Sequence, residues 1–411
     1  MIEFHVLTHL SAIVVASYEN KIYVAGGSIE LAASDPDYTA SMLNIQGTSE
    51  RLAEPFNLDA YIQVMDFSKP VNSSQNSIDI STDNITTAIR LPTYIGDGAL
   101  FISDGVMHLL PGGWDFNLKT QKLSVQGSGI QYHVNSAVIA FDTENQVGWY
   151  YGGIVELKAR SFGYSQDLYR LDRGKRTPTK VVVNSSSVGT VLDGELVYLK
   201  NIGEAGVLVL IGGTTDLQMV SMMNLKLTNC VIPTYYLTNT FTQRPIDIVH
   251  VFDIATNTWF TQRTTAQGKY PSDRARMCSV VASAEDSSSH NIYIYGGYYR
   301  GAIGTNGTVI NEILVLTLPA FHWILVYPSY CGNGTCDTRR VYGHKCQKVY
   351  EKHMVAYRGR NFNSYCDNEE RLGKFQGMVI YDMSSLEWTT KVEENHKYLV
   401  PKVLYEIIGG E

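Results

Sequence analysis

Charge is scarce in this 411-residue chain: Asp, Glu, Lys and Arg together make up 18%, against roughly a quarter in an average soluble protein. The balance is acidic, with a net charge of -7. No basic face is expected that would neutralise a phosphate backbone, so nucleic acid is not an expected partner. Long apolar runs are missing too. No window of about 18 apolar residues occurs, which excludes a membrane-spanning helix, and no membrane insertion is expected of residues 1–411. Met1 to Ser17 has no Lys or Arg and carries Glu3, His5 and His9 around a short apolar run, Ala12 to Ala16. It therefore reads as a strand rather than a secretory leader. Sequence signatures of catalysis are absent as well: there is no G-x-S-x-G, H-E-x-x-H, P-loop, or G-x-G-x-x-G placed between a strand and a helix. The ten histidines are scattered, and a strand histidine such as His108 or His322 reads as a satisfied core residue.

What the chain does have is glycine, 35 residues, and tyrosine, 27, a pairing that leans toward sheet. A hydrophobic alternation ending in Gly-Gly recurs as KIYVAGG to Gly27, MHLLPGG to Gly113, GWYYGG to Gly153, LVLIGG to Gly213, NIYIYGG to Gly297 and YEIIGG to Gly410. A degenerate copy, HMVAYRG, ends at Gly359. The mean spacing of about 64 residues suits a propeller blade with long loops.

A second pattern follows the first. Val251–Trp259 (VFDIATNTW), Val315–Trp323 (VLTLPAFHW) and Ile380–Trp388 (IYDMSSLEW) align without gaps, each an apolar strand, a polar turn and an outer strand opened by Trp. Leu168–Gly174 is a fainter copy. With the strands that precede each Gly-Gly, such as Met277–Ala284, the unit has four strands, a to d. Twisted blades packed face to face need large apolar residues on both faces of strand b and aromatic filling between blades. The Trp residues and strand-b Tyr residues are thus expected in the core rather than in a ligand site.

These residues carry a family resemblance. IYIYGG, VFDIATNTWFTQRTT, the P-x-x-R-x-R of Pro271–Arg276 and LPAFHWILVYP resemble the kelch-repeat ectodomains of fungal surface proteins. The likeness covers nearly the whole chain, strongest over Ile246–Tyr327 and weakest before Leu91. It implies an all-β fold, a single domain over residues 1–411 forming a kelch-type β-propeller of four-stranded antiparallel blades. Seven blades are expected rather than six. Val400–Gly409 would supply strands a and b of the seventh, and Ile2–Leu7 its outer strands, so that residues 1–7 and 400–411 close the ring.

The resemblance also implies an extracellular or cell-surface module that binds a protein or cell-wall glycan without catalysis, cofactor or metal. A carbohydrate-active enzyme similar to the copper-radical oxidases, whose central domain is a propeller of this type, is one alternative. An intracellular kelch adaptor is another. Long b–c loops, Ser28–Asn57, Thr214–Arg244, Tyr298–Asn311 and Arg360–Lys374, would form the binding face. Arg274, Arg276 and Arg300 lie near it as candidate ligand residues, or as clamps on neighbouring loop carbonyls.

Six cysteines, Cys230, Cys278, Cys331, Cys336, Cys346 and Cys366, suit disulfides in an oxidising compartment, with the pairing open. His344 and His353 raise a metal site as a competing reading, but the spacings match no common zinc pattern. Free buried thiols remain a third reading. Sequons at Asn72, Asn84, Asn184, Asn306 and Asn333 are glycosylation candidates. Val71–Asn84 reads as an exposed polar hairpin and Arg170–Lys180 as a solvated c–d hairpin rather than an anion patch.

Overall fold

A computed structural model describes residues 13–26, 60–68, 85–91, 99–110, 114–125, 134–156, 162–186, 188–215, 226–227, 230–231, 242–299, 308–327, 341–357, 378–394 and 396–409. Six four-stranded antiparallel blades follow one another along the chain, a fifth strand joining the sheet of the fifth blade. Blade 1 is Ile13–Tyr18, Lys21–Gly26, Ala60–Asp66 and Ile85–Leu91. Blade 2 is Ala99–Ser103, Val106–Leu110, Trp114–Asn117 and Lys122–Val125. Blade 3 is Val138–Asp142, Val147–Tyr151, Leu168–Leu171 and Thr179–Lys180. Blade 4 is Glu195–Leu199, Val207–Ile211, Ile248–Asp253 and Thr258–Arg263. Blade 5 is Cys278–Ser283, His290–Tyr295, Ile313–Leu318 and His322–Tyr327. Blade 6 is Lys345–Val349, His353–Tyr357, Met378–Asp382 and Glu387–Thr389.

Strand b shows why the repeat has its composition. All five residues of Val207–Ile211 are buried: Val209 and Ile211 pack toward Ile292, Ile294 and Trp323 of blade 5, whereas Leu208 and Leu210 pack toward Trp149 and Tyr151 of blade 3. A strand with a neighbour on each face has no solvent side, so its pattern is continuous rather than alternating. The same arrangement recurs around the ring, giving six apolar clusters among the described residues, one at each seam between blades. The strand-d tryptophans fill these seams as expected. Trp259 lies 5.3 Å from Tyr151 across the blade 3–4 seam, and Trp323 donates its Nε1–H to Ile246 O at 3.2 Å and Thr264 Oγ1 at 3.1 Å across the blade 4–5 seam.

The turns between strands c and d also follow from sequence. Asp253 Oδ1 accepts the Ala255 N–H at 3.0 Å, and Asp382 Oδ1 accepts those of Ser384 and Ser385 at 2.8 and 3.1 Å. Each carboxylate mimics a turn carbonyl and fixes the hairpin. In blade 5 the corresponding place is taken by Leu318-Pro319, a cis peptide. Arg170–Lys180 forms the c–d hairpin of blade 3.

The expected seventh blade does not form. Lys402–Ile408 is a helix, α1, in which Leu404 is fully buried and Ile407 and Ile408 pack against the blade 5–6 cluster. Apolar residues at 403, 404, 407 and 408 repeat at helical rather than strand spacing. Blade 6 also meets blade 1 directly. Val355, Tyr357 and Ile380 pack on Val15, Ile22 and Val24, and Gln347 Nε2 donates to Val15 O at 3.3 Å. The ring is therefore closed at six blades. The degenerate copy His353–Tyr357 is a true strand b, whereas YEIIGG is not one. Ile2–Leu7 lies outside the described residues.

Candidate functional site: the channel mouth

Blades 1 to 5 each hand the chain from their outer strand d to the innermost strand a of the next, and the start of strand a forms the mouth of the central channel. The Gly-Gly of the preceding strand b receives it. Gly153, Gly213 and Gly297 donate their N–H to Val191 O, Arg274 O and Val341 O at 3.0, 2.9 and 2.8 Å. At Gly212 (φ 58°) and Gly213 (φ 87°) a Cβ would stand 2.7 Å from Arg274 O and 2.6 Å from Leu192 O, so glycine is required both for conformation and for the close approach. A second backbone relay runs around the mouth: Asp193 N–H donates to Ser136 O at 3.0 Å, Arg276 N–H to Asp193 O at 2.7 Å, and Gly343 N–H to Arg276 O at 2.8 Å. Ser136, Asp193, Arg276 and Gly343 all adopt positive φ, between 55° and 68°. They occupy the same place in blades 3 to 6.

The side chains at this rim are paired. Arg274 is completely buried; its Nη2 binds Glu312 Oε2 at 2.7 Å, Nη1 donates to Gly296 O at 3.3 Å and Nε to Ser272 O at 3.1 Å. Burial lowers its pKa, with Glu312 acting in opposition. Arg276 Nε meets Asp193 Oδ2 at 3.0 Å, linking blades 4 and 5. Both guanidiniums brace the rim, and Arg274 reaches no solvent. Arg244, which carries no motif of its own, does the same work by donating from Nη1 to Val188 O and Thr190 O at 3.2 and 3.3 Å. Arg300 lies outside the described residues.

Deeper in the channel wall Glu195 accepts the Ser279 hydroxyl at 2.6 Å. Desolvation pushes its carboxyl up to about 7, against the pull of the Lys345 ammonium and the Ser279 bonds. One strand further, Cys278 and Cys346 are bonded, their Cα atoms 5.4 Å apart, joining strand a of blade 5 to strand a of blade 6. Beside them His344 is 1% exposed and stands edge-on to Tyr295, ring centroids 4.8 Å apart. Burial first, then Lys345, pulls the imidazole down to about 3, with the Tyr295 backbone weakly opposing. Cys230 falls in a two-residue strand, Cys230–Val231, and Cys331, Cys336 and Cys366 lie outside the described residues. His353 lies in strand b of blade 6 with Nε2 3.8 Å from Asp382 Oδ2, apart from the cysteines.

Of the sequons, Asn184 is exposed and its Nδ2 donates to Thr256 O, in the c–d turn of blade 4, at 2.7 Å. Asn72, Asn84, Asn306 and Asn333, together with the Val71–Asn84 hairpin, lie outside the described residues. The long b–c connections are residues 27–59, 212–247, 296–312 and 358–377, and only short stretches of them are described.

One cluster has the hydrogen-bond order of a nucleophile–base–acid relay. Ser103 Oγ lies 3.2 Å from His108 Nε2, and His108 Nδ1 lies 2.8 Å from Asp115 Oδ1. The three residues are 3 to 6% exposed, and the Gly174 N–H of the blade 3 hairpin points at Ser103 Oγ from 3.4 Å. Arg173 and Arg176 of that hairpin pair with Asp104 at 2.6 Å and Asp115 at 3.3 Å. As it stands, the relay ties three strands of blade 2 to blade 3, and its hydroxyl is covered.

No protein-family model matches the sequence. A kelch repeat-containing protein of the fungus Arthroderma benhamiae is 27% identical over 244 residues, which is 53% of this chain and 30% of the relative. The chain therefore spans under a third of that curated relative's length. The solved structure of YjhT superposes with a TM-score of 0.54 at 10% identity, covering 93% of this chain and 97% of its own; that likeness concerns the fold. The chain is thus a six-bladed β-propeller, similar over half of its sequence to a fungal kelch repeat-containing protein.

Proposed function

We propose that this propeller is a non-catalytic interaction module that acts outside the cell and engages a protein ligand through the face on which its b–c and d–a connections emerge. The observation that carries this reading is the braced mouth. Backbone relays, the Arg274–Glu312 and Arg276–Asp193 pairs and the Cys278–Cys346 bond stiffen the base from which the long connections spring. A rigid base beneath long loops lowers the ordering cost of binding. The bonded cysteine pair supports an oxidising compartment, and a protein partner is what a kelch-repeat propeller suggests. Cell-wall glycan is a second ligand class for the same face.

Two measurements test this. A photo-crosslinking residue placed at exposed Tyr299, on the b–c side of blade 5, should capture a secreted or wall protein from the producing organism. The same probe at Lys175, on the opposite c–d side, should not. Capture from Lys175 alone would reject the assigned face. Thiol titration in denaturant without reductant should find fewer than six thiols, and six would reject the extracellular assignment.

A further inference from the structure

Cys278 and Cys346 have a third member beside them that the bond alone does not explain. His344 contributes an imidazole to the same cluster, with one donor atom from each of the three residues lying within 4.8 Å of the others, all buried. Apart from a weak interaction with the Tyr295 backbone, neither ring nitrogen of His344 has a hydrogen-bond partner among the described residues. Leaving a buried polar group unpartnered costs about 1–3 kcal/mol, and a histidine kept only to pack against Tyr295 would not need ring nitrogens at all. A ligand set accounts for the whole arrangement. We propose that Cys278, Cys346 and His344 form a thiophilic metal site, available when the Cys278–Cys346 bond is reduced, and that its cation is copper(I).

The donor set selects the ion. Two thiolates and an imidazole are soft to borderline ligands, suited to copper(I) or zinc. A structural zinc site takes four protein ligands, whereas among the described residues only three stand here, a number that copper(I) accepts. One copper(I) leaves a single negative charge on two thiolates, which the neighbouring Lys345 ammonium offsets while Glu195 beside it is protonated. The electron count is simple. A dithiol or a phosphine gives two electrons to the disulfide and two protons complete two thiols; the reductant leaves as its own disulfide, or as the phosphine oxide with oxygen from water. Copper(I) then displaces both thiol protons to solvent, and no electron moves in that step. The two inner strands that the disulfide joins are held in the reduced protein by the metal, so the blade 5–6 seam stays closed in either redox state.

The experiment uses the whole chain, reduced anaerobically with a phosphine that is then removed, and titrated with copper(I) held in a chromogenic chelator. Alkylation and peptide mass spectrometry read each cysteine with and without one equivalent of metal, and copper-edge X-ray absorption reads the ligands. Cys278 and Cys346 are expected to react at least tenfold more slowly with metal bound, while the rates at Cys230, Cys331, Cys336 and Cys366 stay unchanged. The absorption spectrum should fit two sulfurs and one nitrogen. His344→Ala should weaken copper retention at least tenfold, and the oxidised protein should take up none. Protection that spreads over the other cysteines, a shell without nitrogen, or retention unchanged in His344→Ala would overturn the site. The protection and absorption measurements use the native sequence, so a variant that fails to fold leaves the outcome decidable.

Discussion

At Gly213 a single hydrogen atom decides whether the end of strand b in blade 4 can lie against the entry to that blade's own strand a: the backbone sits at φ 87° and a Cβ would meet Leu192 O at 2.6 Å. Gly268 has nearly the same conformation, φ 81°, with nothing within 4 Å of the added carbon. The pair separates conformational strain from contact. Gly268→Ala is expected to cost about 1 kcal/mol and Gly213→Ala about 3 kcal/mol or more, since the second adds a backbone collision to the strain. Equal shifts in denaturation midpoint would mean that the contact relaxes freely. Glu195 gives a residue-scale pH dependence. Its folded pKa of about 7 stands above the ordinary glutamate value of 4.5, so the unfolded state ionises first. Below pH 4 the group is neutral in both states and costs nothing. Between about 4.5 and 7 stability falls, and above 7 the penalty is fully present. The residue is only partly buried by surface area, so solvent screening reduces the effect to on the order of 1 kcal/mol. Glu195→Gln should therefore be more stable than the parent at pH 8 and indistinguishable from it at pH 4. A gain that is the same at both pH values would assign the effect to packing.

At the scale of elements, α1 and strand b of blade 6 exchange the places that a Gly-Gly motif would give them. The motif marks a strand b only through its consequence, the close approach of the next strand a. HMVAYRG has two sheet neighbours, Lys345–Val349 and Met378–Asp382, and becomes a strand without the second glycine. YEIIGG has no such neighbours and turns its apolar residues onto the blade 5–6 seam as a helix. Truncating Leu404, which is fully buried there, is expected to cost about 2–4 kcal/mol. Val403→Ala, at 39% exposed, should change little. A large effect at Val403 and none at Leu404 would place the helix wrongly. The same reasoning explains what was legible. Hairpin turns, strand order and the seam tryptophans follow local patterns, and could be read from Asp253, Asp382 and Trp323. The Cys278–Cys346 partnership is a relation between blades. Its one sequence signal is a separation of 68 residues, close to one repeat, which places both cysteines on strand a of successive blades. The channel-mouth arginines could be located but not oriented, because burial of Arg274 depends on Gly296 and Glu312 arriving from elsewhere in the chain.

For the whole molecule the decisive feature is where the ring is sewn. At five seams the chain itself crosses from strand d to the next strand a, whereas the blade 6–1 seam joins distant parts of the sequence. Among the described residues it is held by the Val15, Ile22 and Tyr357 cluster, by Gln347 Nε2 donating to Val15 O at 3.3 Å and by Tyr350 O–H donating to Phe67 O at 3.1 Å. The blade 5–6 seam beside it has in addition the Cys278–Cys346 bond. Opening the ring should therefore begin between blades 6 and 1, with blade 6 staying attached to blade 5. Combining Gln347→Ala with Tyr350→Phe removes two side-chain hydrogen bonds of about 1 kcal/mol each. Native-state hydrogen exchange in that variant should speed up by on the order of tenfold at Ile13–Tyr18 and Lys345–Val349, and by much less at Glu195–Leu199 on the far side of the ring. Uniform acceleration in all six blades would instead mean that the propeller opens as one cooperative unit, and that contacts spread around the ring, rather than the seam, limit its stability.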